Sequence, residues 1–493
     1  MTTTALPPFG ASSALSPWDA IDWQPIIECV QRLQMRIAKA TREGRWGKVK
    51  ALQWLLTHSS AAKLLAVRRV ASNPGRNTAG IDGIVWKTGG QKLRAAWSLR
   101  RRGYRPQPSR RIYIPKKNGK RRPLGIPTLD DRAMEALHLL ALEPVAETLA
   151  DLNSYGFRPK RSTADAIAQC FNVLARKQSA QWILEGDIKS CFDRISHPWL
   201  NDHIPMDKII LKKWLAAGYM EEGVVYPTEA GTPQGGIASP ALANMALDGL
   251  EEIARRAVPS HQKVHVVRYA DDFIITGASK EVLEMKVKPA IVTFLKERGL
   301  ELSEEKTRIT HIDDGFEFLG FNVRKYAGKL LIKPSKEAIK SFLERIRELI
   351  RANVATKTEG LIRQLNRTLR GWANYFRHVV SKATFSYVDH QICLALIAWI
   401  NRRHPNKSAR WKRQRYFRSK DRRNWVFFAS IQAAPGQVTY LDLFQVASVP
   451  VVRHIKIQAE ATPYDSAFTE YFARRVHSRR VSRLRWRGMG ASA

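Results

Sequence analysis

Two adjacent acids, Asp271 and Asp272, stand between two runs of β-branched residues, and this leaves the chain few options. Val264, Val266 and Val267 precede them; Ile274, Ile275 and Thr276 follow. Both flanks read as strands. The simplest geometry is a hairpin whose tight turn holds Ala270, Asp271 and Asp272. Neighbouring carboxylates between apolar strands repel each other unless a cation sits between them. Mg²⁺ suits such a place, because it takes hard oxygen ligands and leaves room for substrate phosphates. Taken alone, the pair reads equally well as a polar hairpin tip, since aspartate is common in turns.

A second acidic stretch separates these readings. Residues 182–193 form another apolar run, ending in Asp187 and Asp193. Phosphoryl transfer by two metals needs carboxylates from separate elements converging on ions about 4 Å apart. Asp187 on one strand, with Asp271 and Asp272 on a neighbouring hairpin, would supply them. Asp193 would lie roughly 20 Å further along an extended strand, so it takes no ligand role. Between the two stretches, Gly231 to Pro240 is a Gly- and Pro-rich turn that leads into a helical run, Ala241 to Leu247.

In that order, Asp187-x-x-x-x-Phe192-Asp193, Thr232-Pro233-Gln234-Gly235-Gly236 and Tyr269-Ala270-Asp271-Asp272 resemble the motifs of reverse transcriptases. Their spacing is similar to that of the group II intron-encoded reverse transcriptase/maturases, and the resemblance runs from about Trp23 to about Tyr471. Tyr-x-Asp-Asp alone would be weak; the ordered set is specific.

The resemblance implies a right-hand polymerase with α+β fingers and palm, an all-α thumb/maturase bundle and a basic DNA-binding tail. The expected divisions are a disordered tail at 1–17, a helical RNA-binding extension at 18–103 and fingers and palm at 104–330. The thumb/maturase domain would follow at 331–415, and the DNA-binding region at 416–493. Two Mg²⁺ ions would be held by Asp187, Asp271, Asp272 and the carbonyl of Ile188. Lys116 and Arg122 would clamp the dNTP triphosphate, or else touch template phosphates. Phe192 would exclude a 2′-hydroxyl, the plain alternative being a core phenylalanine, and Gln234 would lie over the incoming nucleotide and template base. Lys306 resembles a lysine near the leaving phosphate, a candidate general acid; the plain alternative is a surface lysine. Arg158 would lie against template or incoming base. The partners implied are group II intron RNA, target DNA and dNTPs, with monomer or dimer left open.

Charge points the same way. Lys and Arg total 82 against 44 acids, a net charge of +38. A surface so charged repels itself, so a polyanionic partner is expected. Anionic membrane competes with nucleic acid, but no apolar run approaches the ~20 residues of a spanning helix. Met1 to Pro17 lacks the basic start of a secretory signal. The four cysteines are scattered without a Cys-x-x-Cys pair, which argues against zinc and a disulfide framework. A reducing cytoplasm is expected.

Along the chain, Trp23 to Val70 reads as two helices joined by a basic connector, Thr41 to Lys48. Arg45, Trp46 and Lys48 there suit an RNA backbone or a solvated link. Arg110 to Pro127 reads as a hairpin with its turn at Lys117 to Lys120. A helix is expected over Asp130 to Leu149, kinked or interrupted at Pro144. Ser162 or Thr163 would cap a helix over Ala164 to Ala175. Leu200 to Glu222 is an insertion that the family carries. Glu281 to Arg298 reads as an amphipathic helix bent at Pro289 and ended by Gly299. Phe316 to Phe321 resembles the primer grip.

Beyond Ser335, three apolar stripes predict a helical bundle. Trp372, Tyr375 and Phe376 read as core, with Arg363, Arg367, Arg370 and Arg377 exposed. Arg402 to Arg423 is the densest basic run. Arg402, Arg403, Lys412, Arg413 and Arg415 would bind phosphates, and Trp411, Tyr416 and Phe417 would add stacking. Val452 to Asp465 resembles the stretch that precedes an HNH endonuclease, but no such ligand set follows, so second-strand cleavage is expected to be missing. His454 reads as a fold residue. Two rival readings are an RNA-binding maturase without polymerase activity and a reverse transcriptase recruited to a host role such as phage defence.

Overall fold

Amphipathic helices open the chain, and their caps set the breaks between them. The computed structural model describes residues 17–115, 119, 121–421, 423–434 and 437–477. Helix α1 (Trp23–Arg42) starts where Asp22 accepts from the Gln24 amide, and buries Val30, Leu33 and Ile37. Next come α2 (Trp46–His58) and α3 (Ser60–Ser72), so the expected pair of helices is three. Ser59 makes the extra break: its backbone is extended and its side chain caps α3 through the Ala62 amide. Helix α4 (Gly89–Ser98) begins in a capping box of Thr88 and Gln91.

Strands β1 (Ser109–Pro115) and β2 (Arg121–Ile126) pair antiparallel. Lys116 and most of the expected turn lie outside the described residues. Helix α5 (Leu129–Leu149) runs through Pro144 without the interruption that was one of the two expected outcomes. A proline leaves the carbonyl four residues earlier without its helical donor. Here Leu140 O accepts from Gln34 Nε2 at 2.8 Å, and Ala141 O accepts from Gln53 Nε2 at 3.2 Å. Neighbouring helices thus supply donors where the proline removes one.

The palm follows: α6 (Thr163–Leu174), β3 (Trp182–Asp187), α7 (Cys191–Arg194), α8 (His197–His203) and α9 (Lys208–Leu215). Strands β4 (Tyr219–Glu221) and β5 (Val224–Tyr226) extend the β1–β2 hairpin, so the insertion contributes two helices and an addition to the fingers sheet. After α10 (Ser239–Leu247) and α11 (Leu250–Arg256) come β6 (Val266–Tyr269) and β7 (Asp272–Gly277). The expected helix after β7 is one unbroken helical run with a π-turn inside it: α12 (Lys280–Val282), the π-turn at Leu283–Val287 and α13 (Lys288–Lys296). The wide turn sits just ahead of Pro289, whose missing N–H loosens the ladder there. With β8 (Arg308–His311), the palm sheet has the order β6-β7-β3-β8.

Strands β9 (Phe316–Phe318), β10 (Phe321–Tyr326) and β11 (Lys329–Pro334) form a second small sheet, its first turn at Leu319–Gly320. The bundle is α14 (Lys336–Ala352), α15 (Thr358–Phe376) and α16 (Lys382–Arg403). Trp372 stacks on Phe342 at 4.5 Å, a core contact. By length and composition α16 is apolar enough to cross a membrane, yet Phe385, Val388, Ile392, Leu396, Trp399 and Ile400 are buried in the bundle.

Helix α17 (Ala409–Tyr416) leads into β12 (Phe417–Lys420), β13 (Arg423–Ala434) and β14 (Gln437–Asp442), a three-stranded sheet at the start of the expected DNA-binding region. Tyr416 and Phe417 are buried against Phe427, so they pack the core and offer no ring to a base. The next segment is a strap. Phe444 N donates to Asn366, the Val446 and Ala447 amides donate to Asp389, and Val452 N donates to Arg377 O. Further on, His454 bonds Asp165 of α6, Tyr464 bonds Glu143 of α5 and Asp465 pairs with Arg42 of α1. The strap therefore ties the bundle across the palm to the N-terminal helices.

Candidate active site

Strand pairing brings the separate acids together. Asp187, at the end of β3, lies directly opposite Asp272, the first residue of β7. Facing Cα atoms in such a ladder are about 4.5–5.5 Å apart. Asp272 also pairs with Tyr269, so the tight turn between β6 and β7 is Ala270–Asp271, one residue shorter than expected. Ala270 holds a left-handed φ of 59°. Gly186 allows this packing: a β-carbon there would meet the Phe273 ring at 2.3 Å.

Burial first, then the charges of Asp187 and Asp271, push the Asp272 carboxyl up to about 7. Asp271 is also raised by burial and by Asp187, while Arg122 and Lys306 pull against the shift. That places the influence of Arg122, exposed on β2, at the same acids. Lys306 Nζ lies 2.7 Å from Asp187 Oδ2. Its loop is pinned to the same strand end, with Ser303 N donating to Asp187 O and Lys189 N to Glu301 O. Neither bond uses the Ile188 carbonyl.

This donor set fits a hard divalent cation: it is all oxygen, and its mutual repulsion is relieved by positive charge. Among the described residues, no group of three or more His, Cys, Asp or Glu is already gathered as a metal cage. The acids stand ready from two strands without closing on one point.

The flanking residues build a cleft. Phe192 is half-buried on α7, its ring 6.2 Å from Phe157. Its carbonyl accepts from Thr232 N at 2.6 Å. Gln234 Nε2 bonds Asp193 at 3.1 Å, and Gln234 O accepts from Gly125 N of β2 at 2.8 Å. Gly235, at φ 125°, admits this approach; a β-carbon there would meet Gly125 O at 2.4 Å. The Gly231–Pro240 loop is thereby fixed to the fingers hairpin.

Arg158 is a correction. It is buried, pairs with Glu147 at 2.8 Å and donates to Asp151 O and Ser154 O. A guanidinium so committed holds the loop to α5 and is withdrawn from any template. Arg403 likewise donates to Val354 O and Thr356 O at the end of the bundle. Arg45, Trp46 and Lys48 are exposed, as are Arg363, Arg367 and Arg370, whereas Arg377 is half-buried. Arg363 pairs with Glu359, and Arg370 lies over Phe444. Arg402, Arg413 and Arg415 are exposed, Arg413 against Trp425, and Lys412 bonds Asn401.

Sequence reasoning missed Arg268, buried beneath the acidic turn. The signal was there: a lone charge inside an apolar strand.

The fingers sheet, the acid-bearing palm and the helical bundle, in this order along the chain, are the parts of a right-hand polymerase. Residues 114–323 match the family described as reverse transcriptase (RNA-dependent DNA polymerase). Residues 18–99 match the N-terminal domain of reverse transcriptase, and residues 339–417 the group II intron, maturase-specific domain. The group II intron-encoded protein LtrA of Lactococcus lactis subsp. cremoris is 33% identical over 365 residues, 58% of this chain and 60% of that protein. Protein YkfC of Escherichia coli (strain K12) is 32% identical over 300 residues, 52% of this chain and 78% of that one. Among solved structures, apo telomerase from Candida tropicalis aligns with a TM-score of 0.40 at 14% identity, covering 62% of this chain and 63% of that one. The chain belongs to the family of group II intron-encoded reverse transcriptases.

Proposed function

We propose that the protein is an RNA-directed DNA polymerase and intron maturase. It copies RNA into DNA, binds the group II intron RNA that encodes it and assists splicing. Asp187 facing Asp272, with Asp271 beside them, carries this reading. The primer 3′-hydroxyl attacks the α-phosphate of a dNTP and pyrophosphate leaves. When bound, a pair of Mg²⁺ ions would acidify the hydroxyl and offset charge on the leaving group. Asp187, Asp271, Asp272 and the Ile188 carbonyl would hold them. Arg122 and Lys116 neutralise the triphosphate, and Gln234 braces the nucleotide. Phe192 crowds the 2′ edge of the sugar and has no group to bond a hydroxyl there. Lys306 is poised to give a proton to pyrophosphate.

Splicing assistance is binding, because group II introns supply their own chemistry. Arg45, Trp46 and Lys48, with the α15 arginines, suit the intron; the 402–415 run suits target DNA. With that DNA, the ribonucleoprotein would insert the intron by reverse splicing and copy it. The four free thiols fit a cytoplasmic setting.

RNA-templated primer extension with dNTPs and Mg²⁺ tests this, and absence of synthesis would favour the maturase-only reading. The acids add a pH signature. Asp272 titrates near 7, so below that pH a proton must leave before a metal is held. The Mg²⁺ needed for half-maximal extension should therefore rise between about pH 8 and about pH 6. A requirement independent of pH would count against these ligands.

A further inference from the structure

The acidic turn rests on a buried guanidinium. Arg268 is 1% exposed and heads the fully buried side chains by volume among the described residues. Its Nη2 donates to Asp248 Oδ1 at 2.5 Å. Its Nη1 donates to Asn244 Oδ1 at 3.2 Å and to the Ala270 carbonyl at 3.4 Å. Ala270 is the left-handed residue of the turn. Asn244 donates in turn to Gly156 O at 2.8 Å, and a β-carbon on Gly156 would meet Ala270 N at 2.4 Å. Asn244 lies in α10 and Asp248 caps its end. That helix continues from the loop carrying Gln234. One side chain thus joins the acid-bearing turn to the element that braces the nucleotide.

A charge kept wholly inside a protein is costly, and a well-packed apolar residue often stabilises as well or better. Pairing of Arg268 with Phe273 across the hairpin needs no charge. The guanidinium does offer a rigid planar fork whose two terminal nitrogens reach separate acceptors in fixed directions; leucine has no donor, and lysine gathers its donors on one nitrogen. We propose that Arg268 is a positioning residue, holding the Ala270–Asp271 turn in register with α10 through Asn244 and Asp248, so that Asp271 and Asp272 reach the cations in a fixed arrangement. This rests on the reading of Asp187, Asp271 and Asp272 as metal ligands.

The test compares Arg268→Lys, Asn244→Ala and Asp165→Asn in the full chain. Lysine keeps the charge beside Asp248 but loses the fork. Asn244→Ala removes one acceptor and leaves the Arg268–Asp248 pair. Asp165→Asn weakens a separate buried cluster whose bonds run to the strap. Mn²⁺ binding without nucleotide, read by electron paramagnetic resonance, is measured with kcat, KM for dNTP and melting temperature. Arg268→Lys should weaken Mn²⁺ binding about 10- to 100-fold and lower kcat with little change in KM. Asn244→Ala should move the same readouts less. Asp165→Asn should melt earlier with Mn²⁺ binding unchanged.

Wild-type Mn²⁺ affinity in Arg268→Lys, whatever its melting temperature, would make Arg268 a fold residue only and overturn the proposal. Loss of Mn²⁺ binding in all three variants in step with melting temperature would overturn it too, as general softening. Should Arg268→Lys not fold, Asn244→Ala decides on the same readouts. A wild-type protein that binds no Mn²⁺ would instead remove the metal-site reading itself, and this inference with it.

Discussion

Asp271→Ala is expected to lower RNA-templated primer extension by at least about 10³-fold while leaving intron binding and splicing assistance intact. The substituted side chain sits in the turn between β6 and β7, outside the strand pairs of the palm sheet. It also removes one of the negative charges that raise the Asp272 carboxyl, so the melting temperature should hold or rise slightly. The reverse separation is expected when Arg363, Arg367 and Arg370 are all changed to glutamine. Extension of a short primer should persist, while intron affinity falls and its dependence on salt becomes shallower by about 2 to 3 in log–log slope. Arg363 should contribute least, because Glu359 already competes for it. Filter binding across a salt series, splicing assays and primer extension on the same preparations decide this. Loss of splicing assistance together with synthesis in Asp271→Ala would contradict the separation of roles.

Asp165→Asn should cost about 3–5 kcal/mol of stability, the scale for breaking a buried charged cluster. The Asp165 side chain is fully buried. It accepts from Ser162, His454, Arg475 and the Ile457 amide. Those last three belong to the strap, so the variant should also expose residues 446–477 to protease before the rest of the chain unfolds. A pH dependence follows. Burial alone would raise this carboxyl, but the bonds from His454 and Ser162, the charge of His454 and the Ile457 amide outweigh it and hold the group at about 2. A depressed folded value contributes stability above the unfolded value of about 3.9, lost as pH falls toward about 2. Roughly 2 kcal/mol should disappear over that window in the wild type and not in the variant. Urea unfolding at several pH values measures both effects, and equal stability of the two proteins at neutral pH would refute the clamp.

These outcomes separate what was local in the sequence from what was not. The hairpin carrying Asp271 and Asp272 was legible because alternation and turn lie within a dozen residues, and Asp187 because its own strand ends in it. The three bundle stripes were legible for the same reason. Arg158 was misread because a basic residue in a Gly/Pro loop looks exposed; its partner Glu147 lies on the preceding helix, and only packing shows that the two meet in the interior. Tyr416 and Phe417 were misread because aromatic residues among arginines look like a stacking surface, whereas the turn from helix to strand points both inward. The apolar, aromatic-rich run from Trp425 to Ala429 in β13 was a strand signal overshadowed by the charges around it. Continuity of α5 through Pro144 could not be inferred from the helix itself, since the compensating donors come from Gln34 and Gln53 on other helices. The strap depends on contacts nearly 300 residues apart in sequence, with a separation of 289 between Asp165 and His454.

The most direct test of the shared metal site is to count the ions bound by the complex of protein, primer–template and dNTP, using Mn²⁺ resonance in wild type, Asp187→Asn and Asp272→Asn. Acids from distant parts of the chain holding one pair of ions predicts two per wild-type chain, about two by the general two-metal scheme, and the same loss in either variant. Retention of both ions in Asp187→Asn alongside their loss in Asp272→Asn would contradict it.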